Sequence, residues 1–198
     1  VCLFNSPGEE LYKDIVQEYV DMGAFNGGLK FVASDYNFKY YGRFQLALQA
    51  KTKYVWIVDD DVIPGLRYLE LLTHAINTDS AHGMLGSVGW LMPQQPAAID
   101  KSSSSYHGRP GQVLQPYKTT YSHASTRGGL YFPDEKYSIG NPYLMPADLL
   151  CSQWFLETDW IKLLFREKWV SHETAEDFML SYSLRRYGGI QSFVMPAD

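Results

Sequence analysis

Five apolar residues in a row, Tyr54, Val55, Trp56, Ile57 and Val58, end directly on three aspartates, Asp59, Asp60 and Asp61. A strand this apolar is normally covered on both faces, so the run constrains the chain to an α/β fold whose acids sit at the carboxyl edge of a sheet. Ligands of open α/β sheets bind at that edge. Adjacent carboxylates repel one another unless a cation is close, and hard divalent ions such as Mg²⁺ or Mn²⁺ prefer oxygen ligands. A metal-assisted site is the first expectation. The plain structural alternative is a solvated turn or a helix N-cap ahead of Pro64, although one side chain would suffice for a cap.

The flanking pattern extends this reading. Residues 1–4 read as a strand, and Ser6, Pro7 and Glu9 as a capping box with proline in the first turn. Leu11, Tyr12, Ile15, Val16, Tyr19 and Val20 give the apolar face of the following helix, which Gly23, Gly27 and Gly28 end. A strand is predicted over 29–33, a helix over 41–50, the aspartate-tipped strand, a helix opened by Pro64 and Gly65, and a strand over 84–92. This βαβαβαβ order predicts a mostly parallel, doubly wound central sheet. Regular patterning then stops: 93–141 is a long loop or lid rich in Pro, Ser, Gly and Tyr. It resumes with a strand over 149–156, helices over 159–165 and 174–187, and a last strand over 190–194. Thr174 and Asp177 have the spacing of a second capping box.

Bulk properties remove several classes of function. The chain has 198 residues, enough for one domain with a substantial core. Its formal net charge of -5 supplies no basic surface for phosphate backbones, so nucleic acid is not an expected partner. The cysteines, Cys2 and Cys151, make neither a disulfide framework nor a metal-ligand spacing. No apolar stretch approaches the roughly 20 residues that span a bilayer. Opening on Val1 inside a strand, the chain reads as an excerpt of a longer protein, and any membrane attachment is expected from segments outside it.

The run Tyr54 to Asp61 resembles the DxD segment of GT-A glycosyltransferases, close to its DDD form. Glu176 and Asp177, followed by Leu180, Leu184, Arg185 and Gly188, are similar to the E-D pattern late in glycosyltransferase family 2 domains. The two landmarks lie about 115 residues apart, in the family's order. The resemblance covers nearly the whole chain, but its specific motifs amount to about ten residues. It implies a single GT-A, Rossmann-like α/β/α sandwich, with a nucleotide-sugar half at 1–92 and an acceptor half at 142–198. It also implies transfer of a sugar from a nucleoside diphosphate sugar to a hydroxyl of a glycan or glycoprotein, with inversion. Such enzymes work in the Golgi lumen in eukaryotes and at the cytoplasmic membrane face in bacteria.

Residue by residue, the resemblance implies that Asp59 and Asp61 hold Mn²⁺ or Mg²⁺, which stabilises charge developing on the departing diphosphate. Strand alternation turns Asp60 away from both, toward the donor sugar or ribose, unless a turn at the strand end redirects it. Arg43 and Asn37, with Lys39 as a weaker candidate of the same type, are donor-binding candidates. Asp177, with Glu176 next, is the base that takes the acceptor proton. Trp154 is a candidate sugar-stacking platform, or equally a core residue, and Asp148 opens the same acceptor segment. His172 is a loop histidine that could approach the metal. Three other readings stay open: a retaining, exostosin-like transferase of family 64, a haloacid-dehalogenase-like phosphatase, and a sugar-binding domain without turnover.

Overall fold

The computed structural model describes residues 2–4, 9–23, 28–29, 32–78, 81–90 and 144–196. Residues 93–141, expected as a loop or lid, and Ser6, Pro7 and Gly27 lie outside the described residues. The first half contains β1 (Cys2–Phe4), α1 (Glu9–Asp21), β2 (Val32–Ser34), a 3-10 turn (Lys39–Tyr41) running into α2 (Gly42–Ala47), β3 (Tyr54–Val58), α3 (Tyr68–Ile76), β4 (Gly83–Gly86) and β5 (Val88–Trp90). The second half contains β6 (Met145–Ala147), β7 (Leu149–Cys151), β8 (Gln153–Glu157), a 3-10 helix (Thr158–Arg166), α4 (Glu176–Gly188) and β9 (Gln191–Val194).

The fold is α/β, and its central sheet has five strands in the order β3-β8-β4-β9-β6. It is mixed, which corrects the mostly parallel expectation. β8 enters antiparallel between β3 and β4, β6 runs antiparallel to β9, and only the β4 and β9 ladder is parallel. Periodicity reports that a segment is a strand but not which neighbour it pairs with, so this insertion leaves no mark in the sequence. Two further strand pairs lie outside this sheet, β1 with β2 in parallel and β5 with β7 antiparallel.

Side-chain alternation divides the core into two layers. Ile57, Met84, Trp154, Leu156 and Val194 face α2, the 158–166 helix and α4, where Phe44, Ile161, Leu164, Leu180 and Leu184 are buried. Leu85 and Phe155 face the other way, against Tyr68, Leu72 and Ile76 of α3. β3 is an edge strand and is covered only in part, which corrects the expectation from its composition: Ile57 is buried, Tyr54, Val55 and Trp56 are half-buried, and Val58 is exposed. The apolar stripe of α1 joins neither layer: Leu11, Tyr12, Ile15, Tyr19 and Val20 are exposed.

Two strands expected as continuous are each broken at a serine. Ser87 separates β4 from β5, and Ser152 separates β7 from β8. At Ser152 the backbone takes φ +68, and its carbonyl turns to accept from Asp59 N at 2.9 Å. That bond carries the β3 and β8 pairing one rung past Val58 and Gln153, to the first aspartate. No helix among the described residues is long and apolar enough to cross a membrane.

Candidate functional site

Immediately after that rung the chain turns. Val62 N donates to Asp59 O at 3.2 Å, which puts Asp60 and Asp61 at the corners of a turn. The strand alternation expected to separate Asp60 from its neighbours therefore stops at Asp59. Asp59 is partly buried, and Asp60 and Asp61 are exposed.

α2 reaches the same place from the other side. Arg43, in its first turn, lies with its guanidinium 4.6 Å from the centre of the Trp154 ring. From there Nη1 bonds Asp59 Oδ1 and Nη2 bonds Glu176 Oε1. The arginine thus ties the end of β3 to the start of α4, 133 residues beyond it in the chain. Side-chain exposures of 21% for Arg43, 23% for Asp59 and 9% for Glu176 leave little water to screen these pairs. Arg43, expected to bind the donor, is occupied by the two acids.

α4 begins without the capping box expected from Thr174 and Asp177. Its N-cap is Ala175, in the left-handed region at φ +72, and no side chain caps the helix. Asp177 is engaged otherwise. Its Oδ2 accepts from Cys151 Sγ at 3.1 Å and its Oδ1 from Phe178 N at 2.6 Å. Cys151 is carried there by β7, which runs along α4: Leu150 N bonds Ser181 Oγ at 3.3 Å, and Asp148 Oδ1 bonds Arg185 Nη1 at 2.7 Å.

Burial pushes both clasped acids up. Asp59 is raised chiefly by burial, against the lowering effect of Arg43, with Asp61, Asp60 and Asp177 adding repulsion. Glu176 is raised chiefly by burial too, opposed by a backbone hydrogen bond and Arg43 and reinforced by Asp177 and Asp59. The two acidic segments therefore share one electrostatic environment, with Arg43 as the cation between them.

Of the two acceptor candidates, Trp154 takes its core alternative and Asp148 is paired away from the acids. Trp154 is 1% exposed, its Nε1 donating to Leu150 O at 3.0 Å, so its ring packs under Arg43 and cannot offer a face to a sugar. Asp148 is fixed to the last turns of α4, about two helical turns from Asp177 and so outside the acid cluster. Asn37 accepts from Lys39 N at 2.8 Å, a local turn at the protein surface that does not reach the acids. His172 stacks on Trp169 with its Nε2 3.5 Å from Tyr36 Oη, away from the triplet. Arg185 and Arg186 lie in the last turn of α4, where their charge complements the helix dipole.

The sequence reading gave no site role to Cys151 or Tyr41. The phenol of Tyr41 is pushed up to about 12, first by burial and then by Glu176 and Asp177. Its place two residues before Arg43 was the available signal. Three non-glycine residues have positive φ among the described residues, and each adjoins the site: Lys39 before Tyr41, Ser152 against Asp59, and Ala175 before Glu176. Backbone strain of this kind concentrates at functional sites.

Among the described residues no three His, Cys, Asp or Glu side chains converge closely enough to hold a metal ion by themselves. The acids of the set offer oxygen ligands only, and divalent ions that act on phosphates commonly take one or two carboxylates and complete their shell from the substrate. No family model, curated protein or solved structure matches the chain.

Proposed function

We propose that this chain is a metal-dependent glycosyltransferase domain of GT-A type, moving a sugar from a nucleoside diphosphate sugar to a hydroxyl of a glycan or glycoprotein with inversion. The observation that carries the reading is the Arg43 clasp. An acid at the end of β3 and an acid opening a late helix, remote in sequence, meet at one sheet edge through a shared cation. A purely structural aspartate turn has no need of Glu176, and a helix cap at Glu176 has no need of Asp59.

Asp59 and Asp61 would hold Mn²⁺ or Mg²⁺ together with the donor's diphosphate oxygens, and the ion would supply neutralisation of the charge that grows there. Arg43 contributes a fixed positive charge to the same region and keeps the two acidic segments in register. Asp177, oriented by Cys151 and the Phe178 amide, accepts the proton of the attacking hydroxyl. The hydroxyl oxygen forms its bond to the anomeric carbon while the carbon–oxygen bond to the diphosphate breaks, and the diphosphate leaves with that electron pair.

The test is a donor panel of UDP, GDP and their sugars with Mn²⁺, followed by thermal shift and by nucleotide release. A metal-dependent shift, lost in Asp59→Asn and Asp61→Asn, supports the reading. No shift with any nucleotide or nucleotide sugar overturns it. The anomer of the product separates inversion from the retaining, exostosin-like alternative.

A further inference from the structure

We propose that two copies of this chain associate through the outer edge of β3, paired antiparallel about a two-fold axis at Trp56, so that Lys53 of each copy faces Asp59 of the other. The interface stands apart from the transferase reading. β3 has β8 on one side, and among the described residues no strand pairs with its other edge. The bonds at the two ends of the ladder fix which backbone groups point where. Lys53 O accepts from Thr158 N at 2.9 Å and Asp59 N donates to Ser152 O at 2.9 Å, so the odd-numbered residues from 53 to 59 turn their backbone toward β8. Tyr54, Trp56 and Val58 therefore turn theirs outward. Thr52 Oγ1 donates to Tyr54 O at 2.7 Å, a hydroxyl standing where a strand would place an N–H. An apolar edge of this kind is a template for another strand.

Charge selects which strand that is. Residues 53–59 read Lys-Tyr-Val-Trp-Ile-Val-Asp, a cation at one end, an anion at the other and Trp56 midway. A guard against pairing would carry one sign at both ends, whereas opposite signs attract an antiparallel copy of the same segment. Only the axis at Trp56 brings both ends together. Moved one residue, to Ile57, it sets Asp59 opposite Val55, and moved to Val55 it sets Lys53 opposite Ile57. With the axis at Trp56, the two tryptophans meet each other and Tyr54 meets Val58 as hydrogen-bonded pairs, the aromatic and β-branched combinations that stabilise neighbouring strands. Lys53 and Asp59 form the other kind of pair, whose Cα atoms come within about 4.5 Å and whose side chains are closer.

The side chains concerned are available. Lys53 is 67% exposed, with Nζ 4.0 Å from Glu157 Oε1 in a loose surface pair, and Val58 is exposed. Asp59 keeps its bond to Arg43, because an ionised carboxylate has about four sites for donors or ions. Each copy thus adds a second cation to the acid edge of the other. A single strand edge buries less than the roughly 1,000 Å² of a stable interface, so the dimer is weak and reversible.

Sedimentation equilibrium over a concentration series reaching about 0.5 mM measures the association. A carbodiimide, which joins an amine to a carboxylate in direct contact, tests the register. Within one copy Lys53 and Asp59 are six residues apart along the strand, about 20 Å, so an amide between them forms only across two copies. Lys53→Glu sets like charges opposite each other, and Val58→Lys puts a charge on the edge itself. Both replace exposed side chains, and melting temperature checks that each variant is folded. The interface predicts a reversible dimer, a Lys53 to Asp59 cross-link, and a dissociation constant raised about tenfold or more in each variant. A chain that stays monomeric throughout the series overturns it. So does a dimer that both variants leave unchanged, or one that cross-links only through other residues.

Discussion

Arg43 Nη2 and Glu176 Oε1 lie 2.5 Å apart, and the same guanidinium holds Asp59. Everything proposed for this site depends on that contact, because it joins two segments that no local interaction would bring together.

Replacing Arg43 with methionine keeps the bulk over Trp154 and leaves two mostly buried carboxylates facing each other. The expected loss is on the order of 2–4 kcal/mol, since removing one partner of a buried pair leaves uncompensated charge. Chemical denaturation checks this. A loss below about 0.5 kcal/mol, the usual range for surface substitutions, would show that the clasp contributes little to the fold.

The pH dependence has a definite sign. Asp59 and Glu176 have raised pKa values in the folded state, so they bind protons more readily folded than unfolded. Their contribution to stability is then greatest when they are protonated and falls as pH rises from the ordinary carboxylate range through the raised values. Glu176→Gln mimics the protonated form. The stability of this variant relative to the parent should therefore increase as pH is raised through that window, measured by denaturation across a pH series. A flat or opposite trend would mean that Glu176 is not raised.

Cys151→Ala removes the thiol that touches Asp177, and Cys151→Ser restores a hydroxyl donor at the same place. A thiol is a weak donor, so the alanine variant should lose less than about tenfold in kcat and the serine variant should recover most of that loss. Asp177→Asn should abolish turnover while the melting temperature stays near the parent's. Steady-state rates on the active donor test both, and substantial turnover by the asparagine variant would move the base to Glu176.

A side chain at Gly86 has no room. A Cβ there would lie 2.6 Å from Gln153 O and 3.1 Å from Leu150 Cδ1. Gly86→Ala should cost about 2–3 kcal/mol, the upper part of the range for overpacking, because the obstacle is backbone. The displaced strand is β8, directly after the carbonyl that fixes Asp59, so the metal-dependent nucleotide shift should weaken as well. Denaturation midpoints and the thermal shift measure the two effects separately.

What could be read from the sequence follows from the range of the interactions involved. Residues 54–58 announced a strand because composition is local, and β3 has those bounds, whereas its place at the sheet edge, half-buried, was not announced. The elements around Pro64 and Gly65 were legible too, although α3 begins only at Tyr68. Sheet order was not, because the insertion of β8 depends on tertiary pairing. At the site, the two acidic segments and Arg43 were each identifiable, whereas the Arg43 contacts that unite them depend on the folded backbone. Trp154 shows the limit most clearly: an indole after a short apolar stretch reads equally as a binding platform or as core, and only its 1% exposure decides.

Lys39, Ser152 and Ala175 hold the backbone in a conformation that glycine would adopt without penalty. Selection for heat tolerance alone should drift toward glycine at these three positions, each change relieving roughly 1 kcal/mol of tension. Variants gathered that way would melt later yet work more slowly, as the acids lose their fixed spacing. A library sorted first by melting temperature and then by turnover would reveal the trade as an inverse correlation confined to these joints.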